Sequence, residues 1–399
     1  MAGGRPAERP PAPVNARARN AVATVFVLNG LLFATLFSRV PDIREHLDLS
    51  NGRLGLLLLS ISIGSLLGLP ASGRLIEQIG ATGVVRGGAF LTLVGLALAS
   101  FGVSGIENVP TVAVGLAGYG FGTAVWDVAM NVEGAEVERR LGYTVMPRFH
   151  AGFSLGAIGG AGIGAGATGV GVPLPVHVVV TLAAVAVVVV ATAAFLPAAP
   201  HDDAEEPETP GWSPWLEPRT VAIGAMVLAF TLAEGAAGDW LALALVDGYD
   251  ARHFVGVAGF GLFVTAMTTG RLVGPVLLDR FGRVPVLLAS AGAAFVGLLL
   301  VITSGQPALA AVGIAIWGLG AALGFPVGMS AAADDPRRAA RRVSVVSTVG
   351  YGAFLTGPPL LGFVGNHVGT LDSLYVVMGA MVPAALLVTA VRRPRRGAT

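Results

Sequence analysis

The chain has no cysteine and no lysine among its 399 residues. Without cysteine there are no disulfides and no thiol chemistry, and the six histidines are too scattered to furnish a metal site. Without lysine there is no Gly-rich phosphate loop of the Walker type, so ATP hydrolysis does not drive this protein. Charge is scarce too: charged residues make up 12% of the chain, against about 25% in soluble domains. No nucleophile–base pair can be assembled from what is left, so no enzyme, no cofactor and no nucleic-acid partner is expected.

What is plentiful is apolar. Hydrophobic residues reach 54% and the mean hydropathy is +0.75, which makes this an integral membrane protein. Apolar runs of about 20 residues recur along the length and alternating ten-residue strands do not, so the crossings are helices and a barrel is excluded. The 57 glycines and 25 prolines suit helices that pack closely or break around a cavity.

Twelve spans are predicted, at 21–39, 54–72, 84–103, 111–132, 149–168, 175–197, 219–244, 254–274, 284–303, 308–332, 343–365 and 372–391. Residues 1–20 read as a disordered tail and 392–399 as a second tail. The acidic, Pro-rich 198–218 reads as a linker between a bundle at 21–197 and a bundle at 219–391. Twenty arginines fall in the tails and in loops on the side of the termini, and only Arg39, Arg44, Arg53 and Arg252 on the other. The positive-inside rule then places both termini in the cytoplasm.

The halves are related by repetition. Val114 to Asn131, VGLAGYGFGTAVWDVAMN, recurs at an offset of 198 as VGIAIWGLGAALGFPVGM, with six identities in the first eleven positions. An offset of six spans preserves direction across the membrane, so the repeats are parallel. Tyr119, Thr123, Asp127 and Asn131 recur every fourth residue and form a polar stripe on a helix; the second copy has Trp317, Ala321, Phe325 and Met329 instead. The acid was kept on one side only, which makes Asp127 the first functional candidate. Glu234, in the small-residue stretch Leu232 to Gly238, is likewise present in one copy only, and its neighbours would let the helix unwind. A carboxylate at mid-helix costs about 2.5 to 3.5 kcal/mol unless it faces a cavity or a partner.

Asn29 in span 1, and Asp239 and Trp240 further along span 7, complete the candidate substrate and proton site. Asp239 could pair with Arg39 or Arg252, and Trp240 could stack on a sugar ring. Arg271 is read as snorkelling from the end of span 8 in a structural or gating role, Glu133, Glu136 and Glu138 as a solvated helix end beside Arg139 and Arg140, and His150 as gating at most.

After span 8 the chain reads Asp279-Arg280-Phe281-Gly282-Arg283, and after span 2 it keeps Gly73, Glu77 and Gly80 of the same pattern. With two parallel six-helix halves and a linker, this resembles the major facilitator superfamily along essentially the whole chain, and the resemblance implies the all-α fold of twelve transmembrane helices in two six-helix repeats, here with both tails cytoplasmic. Residues of that loop pattern can pair across the seam between halves in one state and part in the other.

The segment Asp127-Val-Ala-Met-Asn131 is similar to the acid-x-x-x-Asn segment of fucose permease-like sugar:proton symporters. The run from Asp127 to Gly156, with Ser38 to Ile43 and Ala233 to Gly235, looks most like the branch that includes the rhizopine transport protein, a MosC-like branch. That implies a transporter of a sugar-like or polyol-like solute, working as a monomer in the cytoplasmic membrane with protons as coupling ion. The span 1 acid of fucose permease-like proteins has no counterpart among Leu36, Phe37 and Ser38. The span 4 Arg and the span 5 Gly-Pro of drug antiporters are missing too, since Leu116 and Ala161 stand there. Proton-driven efflux of amphipathic compounds is the alternative, and a binding protein without flux a third reading.

Overall fold

The computed structural model describes residues 16–49, 51–193, 196 and 213–393. Residues 1–15 of the expected 1–20 tail, most of the linker and residues 394–399 lie outside the described residues, while residues 16–20, expected as part of that tail, are helical. Fourteen α-helices run α1 (Ala16–Phe37), α2 (Val40–His46), α3 (Asn51–Ser104), α4 (Val109–Leu141), α5 (Met146–Gly169), α6 (Leu174–Ala193), α7 (Ser213–Leu216), α8 (Pro218–Tyr249), α9 (His253–Phe281), α10 (Arg283–Thr303), α11 (Pro307–Ala321), α12 (Gly324–Ala332), α13 (Ala339–Val368) and α14 (Thr370–Leu387). They trace twelve crossings: α3 makes two, α11 and α12 share one, and α2 and α7 are short connectors. Nine described segments are long and apolar enough to span by composition alone, with α3 counted once. The remaining two crossings, α5 and α13, are diluted by glycine and polar residues where they meet the other half.

Two backbone details set the topology. The expected loop over 73–83 is helical except at Gly80, whose φ of 74° and ψ of 157° turn the chain from the second crossing into the third. Gly282, its repeat mate, does the same between α9 and α10 with φ 81° and ψ 168°. That corner of backbone space is essentially open to glycine alone, which is why the loop pattern keeps a glycine there in both halves.

The tenth crossing, expected as one helix, breaks between Ala321 and Gly324. Pro326 is the cause: it has no N–H to give to the carbonyl four residues earlier, that of Ala322.

Twelve crossings return the chain to the face where α1 begins, here the terminal face. α1 packs on α5, and α3 on α4 and α6; in the second bundle α8 packs on α13 and α14, α10 on α11, and α9 on α11. The repeat survives at atomic scale. A Cβ on Gly120 would sit 2.1 Å from the Ile61 carbonyl oxygen, and one on Gly318 2.6 Å from that of Phe263. The shared glycines are thus contact points where the backbone of the fourth or tenth crossing touches its neighbour.

The bundles meet through α3 and α4 against α13, α5 against α9, and α12 against α4 and α5. Every residue of α4 from Ala124 to Glu138 is buried, as is every residue from Gly320 to Ala333. Towards the other face the seam helices surface: Leu155, Ile158 and Ile163 on α5, and Phe354, Leu355 and Leu360 on α13, are exposed. The seam is shut on the terminal side and parted on the other, here the open face.

Candidate functional site

Halfway along the shut part of the seam, polar side chains from both bundles converge. α4 contributes Asp127 and Asn131. Asn131 Nδ2 donates to the Asp127 carbonyl at 2.9 Å and, at 3.4 Å, to its Oδ1. With its amide so used, Asn131 Oδ1 accepts from His150 Nε2 on α5 at 3.1 Å, which makes Nε2 the protonated ring nitrogen. The His150 ring stands edge-on to Phe26 of its own bundle and to Phe325 of the other, with centroids 5.0 and 5.4 Å apart.

The second bundle answers with Glu234 on α8, Arg271 on α9 and Tyr351 on α13. Arg271 Nη2 donates to Glu234 Oε2 at 2.9 Å, and Nη1 crosses the seam to Ser154 Oγ at 2.9 Å. Its Nε reaches the Ala322 carbonyl at 3.4 Å, the acceptor that Pro326 leaves without its helical donor. A proline in the tenth crossing thereby supplies one of the anchors of an arginine in the eighth. Tyr351 lies within hydrogen-bonding reach of Asp127, with Glu234 and Arg271 close by, although Asp127 Oδ2 makes no bond of good geometry among the described residues.

The two acids therefore sit in one cluster but in different circumstances. Glu234 is neutralised by a guanidinium and keeps 27% of its side chain accessible. Asp127 is 6% exposed and has no arginine partner among the described residues. A carboxylate held in that way takes up a proton or a cationic or hydroxylated group far more readily than one already paired.

The other expected residues are placed as follows. Tyr119 is buried, its hydroxyl near Thr123 but without a bond of good geometry among the described residues, and Thr123 faces Thr92 at 3.5 Å. They lean towards the packing of α4 on α3, because each step of four residues gains about 40°, which turns Thr123 about 40° and Tyr119 about 80° from Asp127. Asn29 is buried in α1 with Nδ2 free of partners among the described residues. Asp239 is exposed towards the open face, and Arg39 does not pair with it but with Asp42, Thr168 and the Val172 carbonyl. Trp240 packs against Gly362 of α13. Around Glu234, where small residues would let the helix unwind, α8 is helical throughout.

Two further expectations are corrected. Arg271 does not snorkel: it is 4% exposed, held by three acceptors. Glu133, Glu136 and Glu138 are not a solvated end, because α4 runs on to Leu141 and passes beneath α5 and α12. Glu133 accepts from Thr82 at 2.8 Å, Glu136 holds Arg139 and Arg140, and Glu138 takes the Val145 and Met146 N–H groups at 2.8 Å each and Ser330 of the other bundle.

The loop patterns lie on the terminal side of the cluster. Glu77 pairs with Arg341 across the seam, and Gly73 lets α13 approach, since a Cβ there would meet Arg341 Cα at 3.2 Å. Ser344 donates to the Leu69 carbonyl at 2.6 Å. Asp279 accepts the Thr144 N–H at 2.9 Å, while Arg280 lies over the Phe281 ring. Arg283 stays within its bundle, on Asp334 at 2.8 Å and Ser330 at 2.7 Å.

Sequence reasoning missed Tyr351, Ser154 and the central role of His150 and Arg271. A usable signal existed for one of them: Arg271 falls inside a predicted span, at 254–274, and a charge within a span calls for a partner.

Comparison with known proteins agrees with this architecture. The family model of the Major Facilitator Superfamily matches residues 22–335 and again 253–399. An uncharacterised transporter of that type from Yersinia pestis is 30% identical over 92% of this chain and 93% of its own length. An uncharacterised transporter of Sinorhizobium fredii is 31% identical over 90% and 93%, and the membrane protein MosC of Rhizobium meliloti 25% identical over 94% and 91%. Among solved structures, the superfamily transporter FucP in its outward conformation superposes with a TM-score of 0.79 at 15% identity, covering 94% of this chain and 98% of that one.

Proposed function

The chain belongs to the major facilitator superfamily and is a multi-pass membrane transporter; from that premise we propose that it moves a small polar solute of the sugar or polyol class together with protons. The observation that carries the reading is Asp127: a buried carboxylate without an arginine partner among the described residues, in a cluster built from both bundles within the shut part of the seam. Hydroxylated solutes match what surrounds it. Asn131, Tyr351, Ser154 and Glu234 offer both donors and acceptors, and Glu234 and Tyr351 are partly accessible.

A proton is the simplest counter-charge for Asp127, and a membrane potential of about 100 mV supplies about 2.3 kcal/mol per charge moved, enough for tenfold accumulation. Alternating access follows from rocking the bundles. The seam is now shut where Glu77, Asp279, Glu138 and Ser344 cross it, and would part there as the open face closes. Two matched structures lend weight to the class: they are described as a fucose:proton symporter and a proton:xylose symporter. The arginine asymmetry puts the terminal face in the cytoplasm, so the open face looks outward.

The test is uptake into proteoliposomes under an imposed proton gradient, with sugars, polyols and amphipathic drugs as probes. Asp127→Asn abolishes gradient-driven accumulation but retains exchange of solute across the membrane. Undiminished accumulation by that variant sinks the coupling role, and flux of drugs alone replaces the solute class.

A further inference from the structure

A second polar cluster lies away from the central site, inside the first bundle at the open face. Arg39 at the end of α1, Asp42 and His46 on α2, Ser104 at the end of α3, and Thr168 and Val172 at the α5–α6 turn line a cleft of about 290 Å³. Arg39 is 2% exposed and bound to Asp42, Thr168 and the Val172 carbonyl, yet its Nε has no acceptor among the described residues. The Ser104 hydroxyl on the same cleft is buried and, among the described residues, unpartnered. Two of the fourteen unpartnered buried polar atoms among the described residues, Arg39 Nε and Ser104 Oγ, thus belong to residues that line this one cleft. Buried polar atoms in folded proteins are otherwise almost always bonded, so this pair on one cleft marks the place of something that bonds it.

The donor and acceptor pattern restricts what that is. Arg39 Nε can only donate, and the Ser104 hydroxyl can do either. His46 Nδ1 gives its proton to the Asp42 carbonyl at 2.9 Å, which leaves Nε2 as an acceptor on the rim. Arg39 and Asp42 cancel in charge, so neither a carboxylate nor an ammonium group finds an unopposed partner. From this geometry we infer that the cleft is a second binding site, for a small uncharged polyhydroxylated molecule, at the outer mouth of the transporter. The inference shares the solute class proposed above but not its mechanism, for no residue of the cleft belongs to the central cluster or the shut seam. A solute waiting there would raise the local supply at the entrance.

The experiment uses the purified full chain with its histidines labelled at Cε1, His46→Gln assigning the rim signal, and myo-inositol, acetate and tetramethylammonium as probes. Myo-inositol shifts the His46 signal saturably while the two ions do not. Ser104→Leu, which fills the cleft, weakens that titration by at least about tenfold, and Arg39→Lys, which keeps the charge but loses Nε, weakens it too. Asp127→Asn leaves its midpoint unchanged. The site is refuted if myo-inositol gives no saturable shift, if acetate or tetramethylammonium shifts His46 as strongly, or if the titration follows Asp127→Asn instead of Ser104→Leu. Uptake measured in parallel separates the two proposals: a His46 titration without polyol uptake removes the transport reading and keeps the cleft, and uptake without the titration does the reverse.

Discussion

Replacing Pro326 with alanine should make the protein more stable and less competent. The substitution returns an N–H four residues after Ala322, and the break between α11 and α12 can close with a regular helical bond worth about 1 kcal/mol net. Removing a proline from a helix interior adds up to about 3 kcal/mol on the intrinsic scale. Against this stands the loss of the Arg271 Nε bond, which at 3.4 Å is long for a hydrogen bond and contributes at most about 1.5 kcal/mol. The balance favours the variant, with a melting temperature a few degrees higher at about 2–4 °C per kcal/mol.

The function should move the other way. Arg271 loses one of three anchors, and its remaining contacts, to Glu234 and across the seam to Ser154, then govern both the charge near Tyr351 and the tie between bundles. A change of 1.4 kcal/mol in that balance alters transport about tenfold. The measurements are differential scanning fluorimetry in detergent and initial uptake rates over a range of pH. A lower melting temperature, or a raised one with an unchanged pH profile of uptake, would refute the chain of reasoning from Pro326 through the Ala322 carbonyl to Arg271.

Other expectations follow from single contacts. Glu234→Gln leaves a nearly buried guanidinium with two neutral acceptors, a loss of roughly 1–3 kcal/mol given that Glu234 is partly accessible, read as a lowered melting temperature that Arg271→Gln added in the same chain partly restores. Gly80→Ala and Gly282→Ala each force a side chain into the glycine-only corner, costing about 1–3 kcal/mol; equal yields of folded wild type and variants in size-exclusion chromatography would contradict this. Glu77→Gln removes a pair that is 36% exposed on both sides, so it changes stability by under about 1 kcal/mol yet widens the terminal face, measurable between spin labels on cysteines added to this cysteine-free chain.

Burial raises the Glu217 carboxyl's affinity for a proton, but hydrogen bonds from Arg342 and Thr220 and the charges of Arg342 and Arg338 outweigh it and hold its pKa below the ordinary 4.5. The stability it adds is therefore present above pH 4.5 and fades as pH falls through the depressed value. Wild type should lose more stability than Glu217→Gln over that acid window in a melting series; parallel losses would deny the clamp.

Much of the fold was legible because its signals are local or repeated. Span-length apolar runs, the internal repeat and the glycines after the second and eighth crossings each carry a physical requirement that reads directly from the chain. Asp127 and Glu234 stood out for a related reason: the duplicated half lacks them. What did not read was long-range. Ser154 is an ordinary helix residue until Arg271 reaches it from the other bundle, and Glu138 looks like a surface acid until α4 is known to run under α12. The stripe from Tyr119 to Asn131 misled in a specific way, since a four-residue spacing drifts around the helix and only its last two members face the centre. The break at Pro326 was visible as a letter, but its effect is a carbonyl presented to a residue some fifty positions away.

Two of the bolts across the shut seam have a side chain at one end and main chain at the other. Asp279 holds the Thr144 N–H, and Ser344 holds the Leu69 carbonyl. Peptide groups cannot be mutated away, so in a saturation mutagenesis screen Asp279 and Ser344 should be intolerant while Thr144 and Leu69 accept many replacements of suitable bulk. Such one-sided fastening lets one bundle drift in sequence while the other keeps the catch, a freedom that a gate made wholly of matched ion pairs does not have.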